Sequence, residues 1–284
     1  MACYWGFHLF SQTGGKIVEY FVTADDFGNT LTITQAINEC ILRGWVQNTC
    51  LLLNREALEQ AVQLAKQNSY MDKVCFHLNL STGYPLTDSI KKTRLCDSSG
   101  KFCEASNAKI HRFCLSRYAI EAIREECEAQ MKLFRSLGFT SIRIDSHMWR
   151  MCNLPVLIAI RPLIKKYGFK TTRTLSGHLL NSCKGLMRIY YRIMQFIMNL
   201  FFEVKENWCG SGGEFSKAIK KGKNISGVIE LYVHPDMVDN IPTDIFYSYS
   251  SNYANRESRS VENVVSYLKK HGDLFNIEKF DSSN

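Results

Sequence analysis

Four short stretches place Asp and His where an apolar strand has no use for them. In TADDFGNT, residues 23–30, an apolar run leads straight into Asp25 and Asp26, followed by Phe27 and Gly28. Adjacent carboxylates repel once desolvated. A divalent cation relieves that repulsion, or one of the pair takes up a proton and becomes an acid–base group. The plainer alternative is a helix entry in which the acids face the positive end of the next helix. In CFHLNLSTGYPL, residues 75–86, His77 falls inside a strand pattern, as a ligand or as a hydrogen-bonded core histidine. In RIDSHM, residues 143–148, Asp145 and His147 follow another apolar strand. Their i, i+2 spacing in an extended chain points both side chains to one side. In ELYVHPD, residues 230–236, His234 ends a strand that Pro235 stops. Strand ends of this kind converge on one face if the strands form a βα-barrel. One Asp with two His then makes a common divalent-cation site with open coordination positions. No G-x-S-x-G, Walker A, G-x-G-x-x-G or H-E-x-x-H pattern competes with this constellation.

Placing these residues requires strands, and the pattern supplies them in alternation with helices. Ile17–Ala24, Thr49–Leu53, Val74–Leu80, Ser141–Ile144, Phe169–Thr174 and Val228–Val233 read as strands. Leu31–Arg43 has helical spacing and stops at Gly44; a helix from Arg55 to Gln67 takes Asn54 as its cap. Ser116–Leu137 is a charged helix ending at Gly138, Leu154–Tyr167 a helix kinked at Pro162, and Val261–Lys270 a last helix. The alternation predicts a single α/β domain with a largely parallel sheet or βα-barrel. The polar stretch from Gly83 to Arg112 reads as a long loop or insertion.

Composition bounds the remaining classes. The chain has 284 residues, 45% hydrophobic and 22% charged, a globular balance that excludes disorder, collagen-like repeats and small disulfide-stapled folds. The formal net charge of +8 is mild. Its densest basic stretch, Lys217–Lys223, reads as a solvated helix end, so no nucleic-acid partner is expected. Eleven cysteines include no C-x-x-C pair, and the start of the chain shows no signal-peptide pattern. The expectation is free, reduced thiols and a cytoplasmic location. Leu186–Val204 is very apolar, but Arg188 and Arg192 lie four apart within it and mark one helical face. It reads as an amphipathic core or homodimer-interface helix, with a membrane-surface helix as the lesser alternative. No membrane partner is expected.

TADDFGNT resembles the N-A-D-D-F-G opening of the YdjC-like carbohydrate deacetylases. HLNLSTGYPL is similar to that family's H-L-N-L-T-x-G-x-P-L segment, RIDSHMWRMCNLP to its H-x-D-S-H-x-H-x-H-x-x-P segment, and ELYVHPD to its E-x-x-x-H-P segment. The blocks occur in the family's order, and YANRESRSVENVVSYL resembles its arginine-bearing last helix. The resemblance implies an N-terminal extension over residues 1–16 and one deacetylase domain over 17–284. It also implies a distorted βα-barrel of the glycoside hydrolase/deacetylase type. The implied cofactor is one divalent metal ion, magnesium or zinc, and the implied substrate an N-acetylated sugar such as a chito-oligosaccharide. Carried over by position, Asp26, His77 and His147 match the metal ligands and Asp25 the general base. His234 matches an acid or substrate contact, and Asp145 a residue that orients a ligand histidine. Arg173 or Tyr84 is placed to hold the sugar. Where the family has three further histidines, this chain has Arg143, Trp149 and Met151. Trp149 offers stacking to a sugar ring; Arg143 either favours an anionic substrate or repels the metal. Those departures motivate a second reading, a catalytically impaired sugar-binding or regulatory relative. The basic balance motivates a third, a metal phosphoesterase.

Overall fold

A computed structural model of the chain describes residues 9–13, 16–103, 116–221, 223, 225, 227–245 and 260–266. Its spine is β2, Lys16–Phe27, a run rich in β-branched and aromatic residues that continues through Asp25 and Asp26 to Phe27. β1, Leu9–Thr13, pairs antiparallel with its first half. β3 (Asn48–Leu51) and β4 (Val74–Leu78) are buried at every position, as strands covered on both faces must be. β5 (Ile144–Ser146), β6 (Trp208–Ser211) and β7 (Gly227–Val233) complete a parallel sheet in the order β5-β4-β3-β2-β7-β6. β8 (Pro235–Val238) and β9 (Ile241–Asp244) form a separate hairpin.

Residues 171–177 span the two edges of that sheet. Thr171 bridges in parallel to Arg143 and to Glu203, and Gly177 to Cys209. The stretch Phe169–Thr174, expected as a strand, is therefore an irregular stave held by isolated bridges. The reason is local: the Thr172 hydroxyl donates to the Ile144 carbonyl at 2.7 Å, taking an acceptor that a regular ladder would give to a backbone N–H. The result is a single α/β domain, a six-stranded parallel half-barrel with one ragged stave.

Helices cover the outside. α1 (Leu31–Leu42) starts where the Thr30 side chain accepts from the Ile33 N–H and stops before Gly44, whose φ is +68°. α2 is Leu58–Gln67, shorter than expected, because Asn54 does not cap it. Instead Asn54 accepts from Asn79 and donates to the Tyr84 carbonyl. α3 (Asp88–Lys91) is one turn. α4 (Arg117–Ser136), capped by Ser116, and α5 (Leu154–Lys166), with Pro162 inside it, pack together on the sheet. Phe76 of β4 contacts Phe134 of α4 and Phe169 at ring-centroid distances of 5.5 and 5.3 Å. α6 (Leu179–Ser182), α7 (Gly185–Asn199) and α8 (Gly212–Lys220) follow. Residues 261–266 are helical, and the rest of the expected Val261–Lys270 helix lies outside the described residues.

The reading of all cysteines as free thiols needs correction. Cys50 and Cys75 are register partners on β3 and β4 with Cα atoms 4.6 Å apart, and they are joined as a disulfide. Cys40, Cys96, Cys103, Cys127, Cys152, Cys183 and Cys209 are free. Among the described residues no helix is long and apolar enough to cross a membrane.

Two polar residues buried on α4 fix the loop that follows β4. Glu126 accepts from the backbone N–H groups of Leu86 and Thr87 and from the Thr87 hydroxyl. Gln130 donates to the Asn79 carbonyl and accepts from the Asn79 N–H. The start of the expected Gly83–Arg112 loop is thus tied to a helix just beyond His77, and residues 104–112 of it lie outside the described residues. Charge-assisted bonds of this kind stabilise by about 1.5–3 kcal/mol. Glu126→Ala should therefore lower the free energy of unfolding by about 3 kcal/mol in denaturant titration; an unchanged midpoint would contradict this anchoring role.

Candidate active site and metal centre

The carboxyl ends of the parallel strands bring the chemistry-bearing residues together. β2 contributes Asp25 and Asp26, β4 His77, the β5 end Asp145 and His147, the irregular stave Arg173, and the β7 end His234. The backbone is bent to do this. Asp26 has φ +72° and sits where the β2–β3 register shifts between Ala24 and Phe27. A left-handed aspartate is strained and turns its carboxylate away from the strand's alternation. Gly28, φ +86°, completes the turn; a Cβ there would lie 3.1 Å from both Leu51 and the Leu52 carbonyl. Beyond His147, Met148 and Trp149 are both left-handed, at φ +52° and +56°.

Asp26, His77 and His147 face one another. Asp26 Oδ1 lies 2.7 Å from His147 Nδ1 and 3.4 Å from His77 Nε2. One donor atom from each of the three residues falls within 4.8 Å of the others. All three are at least largely buried. One hard carboxylate and two borderline imidazoles, converging and deprived of bulk water, fit a divalent cation by donor type and spacing. Burial pushes Asp26 up, but the adjacent His147 and His77 outweigh it and hold the carboxyl well below its ordinary range. Burial pushes His147 down, but the Asp26 carboxylate outweighs it and raises the imidazole. Protons and any bound cation would therefore compete for the same atoms.

Asp25 faces a different set of partners. Arg173 donates to both its oxygens, at 2.8 and 2.9 Å, a bidentate fork. Burial raises the carboxyl, yet the guanidinium charge and hydrogen bonds prevail and hold it at about 2. His234 Nε2 lies 3.8 Å from Asp25 Oδ2. Arg173 thus grips a carboxylate while lining the cavity.

Beneath these groups runs a buried ionic network. Arg143 donates to Asp145, Glu206 and Glu230 at 3.0, 2.8 and 2.5 Å. Arg173 also reaches Glu230 at 3.0 Å and Asp145 at 3.4 Å. Arg143 therefore neither opens toward a substrate nor confronts a cation: its guanidinium is spent on three carboxylates. Asp145, expected to orient a histidine, binds both arginines instead. Burial raises Glu206, against the pull of Arg143 and with the help of Glu230. Met151 is buried in the hydrophobic core.

The site opens into a cavity of about 460 Å³. One wall is aromatic. The Trp149 and His178 rings stack, 5.4 Å apart and 15° from parallel. His178 Nδ1 lies 2.5 Å from Glu214 Oε1, and the Tyr232 hydroxyl donates to Glu214 Oε2 at 3.2 Å. Sequence reasoning missed His178, Glu214 and Tyr232. The signal for Tyr232 was available: Glu230, Tyr232 and His234 alternate along β7 and so share one face. His178 and Glu214 had none. Tyr84 does not join this cavity; it lines a separate groove with Arg55 and Lys101.

Comparison with known proteins bears on the family and the fold. The family model described as YdjC-like protein matches residues 20–265. Among curated proteins, a carbohydrate deacetylase of Clostridium beijerinckii is 37% identical over 126 residues, 44% of this chain and 48% of that protein. One of Vibrio cholerae is 35% identical over 144 residues, 51% of this chain and 54% of that protein. One of Mus musculus is 30% identical over 170 residues, 60% of this chain and 54% of that protein. The chain thus matches about half the length of these relatives. The crystal structure of an Enterococcus faecalis protein superposes with a TM-score of 0.64 at 21% identity, covering 92% of this chain and 96% of that one. That likeness shows the fold.

The raised Glu206 has a consequence for stability. A carboxyl whose pKa rises on folding stabilises fully below the unfolded value, about 4.3, and that contribution is lost as pH climbs through the folded value. Glu206→Gln, which cannot ionise, should match the wild type in melting temperature near pH 4 and exceed it increasingly toward pH 8. A variant less stable than wild type at pH 8 would show that Glu206 stabilises as an anion.

Proposed function

Since the chain belongs to the YdjC-like family, we propose that it is a metal-dependent hydrolase that removes the acetyl group from N-acetylated sugars of the chito-oligosaccharide kind. The observation that carries this reading is the convergence of Asp26, His77 and His147 beside an ionised Asp25. Asp26, His77 and His147 would hold one divalent ion, magnesium or zinc. Such an ion polarises an amide carbonyl and lowers the pKa of water.

The remaining work falls to side chains. Asp25, kept ionised and fixed in orientation by Arg173, accepts the proton that water loses on attacking the acetamide carbon. His234, within 4 Å of Asp25, donates a proton to the departing sugar amine, because an amine leaves poorly as an anion. The Trp149–His178 wall offers an aromatic face to the sugar ring, with Tyr232 and Glu214 below it for hydroxyl groups. Arg143, the departure that motivated an impaired relative, is absorbed by the carboxylates of the floor and leaves the cavity open. No described membrane-spanning helix conflicts with a cytoplasmic enzyme.

Acetate release from N-acetylglucosamine oligomers tests the reading. The wild type should release acetate, lose the activity on chelation and regain it with added metal. Asp25→Asn should lower kcat by about 10²–10⁴-fold, the range for a lost general base. Activity that survives either chelation or Asp25→Asn would overturn the proposal.

A further inference from the structure

One face of α7 is apolar and covered by nothing among the described residues. Leu186, Ile189, Ile193, Phe196 and Leu200 recur at intervals of three and four and so form one stripe. They are 84%, 54%, 52%, 65% and 62% exposed. The opposite face of the helix is firmly seated. Tyr191, Met194 and Met198 are buried, and the Tyr190 hydroxyl donates to the Cys152 carbonyl and accepts from the Leu154 N–H. The stripe is thus held outward on a helix about 22 Å long. A soluble surface rarely carries so many large apolar residues in one contiguous line.

Charge decides what covers it. Arg188 and Arg192 are exposed along one edge of the stripe, Lys184 is exposed at its start, and residues 179–202 contain no acid at all. At its far end Leu200 enters a groove of about 510 Å³ that also takes in the exposed Arg161, Lys165 and Lys170. Glu203 is the single acid in that lining, and Arg161 lies over the Phe201 ring at 5.2 Å. Apolar stripe and basic groove make one continuous surface. A second copy of the chain fits it poorly. Antiparallel pairing about a two-fold axis sets the arginine edges side by side with no acid between them.

We infer that this face of α7 and the adjoining groove dock on an anionic phospholipid bilayer. The apolar residues enter the boundary between headgroups and acyl chains, and the basic residues meet lipid phosphates and carboxylates. The groove lies at the amino end of the stave whose Arg173 lines the cavity at its other end. The proposal departs from the sequence expectation of no membrane partner and takes up its lesser alternative, a membrane-surface helix. The sequence locates the arginines on one helical face, but only the fold shows which apolar face the core leaves bare.

Sedimentation of the full-length protein with vesicles of phosphatidylcholine, with and without phosphatidylserine, tests this. The protein should sediment with the anionic vesicles only, and less as salt rises. Arg188→Glu with Arg192→Glu, and separately Ile189→Gln with Phe196→Gln, alter exposed side chains and should keep the wild-type melting temperature. Each pair should weaken vesicle binding by at least about tenfold. Equal binding to neutral vesicles, no binding to either, or a concentration-dependent dimer that the same variants disperse would overturn the proposal. The acetate assay is independent of all these outcomes.

Discussion

Negative charge buried inside the barrel is the constraint on which the rest of the site depends. Asp25, Asp26, Asp145, Glu206 and Glu230 are all withdrawn from water, and an isolated buried carboxylate is very unfavourable. Two arginines answer four of them. Arg143 takes Asp145, Glu206 and Glu230; Arg173 takes Asp25, Glu230 and Asp145. Glu206 is further relieved by its raised pKa. Asp26 stands apart: the side-chain groups facing it are the imidazoles of His77 and His147. A cation bound at that point, as proposed, would complete the compensation that the arginines leave unfinished. Buried pairs of this sort add little net stability over apolar packing; their value here is to fix carboxylates in position.

The same constraint explains the strained backbone. Asp25 and Asp26 are neighbours on one strand, yet one faces Arg173 and the other faces the histidines. Regular alternation would send the second out of the barrel. The left-handed turn at Asp26 and the register shift beside it bring both inward. The paired left-handed residues after His147 likewise turn the chain so that Trp149 stacks on His178. Strain at both points is repaid by the contacts it creates.

Much of this was legible in the sequence, for identifiable reasons. Strand–helix alternation specified a parallel α/β fold because buried strands and amphipathic helices have different periods. Polar residues at strand ends marked the candidate site, because such residues are out of place there unless something meets them. Other features had no local signal. Arg143 looked like a substrate or metal contact because its partners, Glu206 and Glu230, lie 63 and 87 residues away. Cys50 and Cys75 looked unpaired because only strand register joins them. Asn54 looked like a helix cap until the Asn79 loop claimed its side chain. Phe169–Thr174 read as a strand because composition does not reveal how the two sheet edges will meet.

The proposed function depends most directly on the binding of one cation by Asp26, His77 and His147. Calorimetric titration of the metal-free full-length protein with zinc and with magnesium measures this without reference to turnover. One equivalent should bind, with affinity falling at low pH as Asp26 and His147 take up protons, and Asp26→Asn with His147→Ala should abolish the heat while the protein stays folded. Absence of binding in the wild type, or binding unchanged in the double variant, would contradict the account.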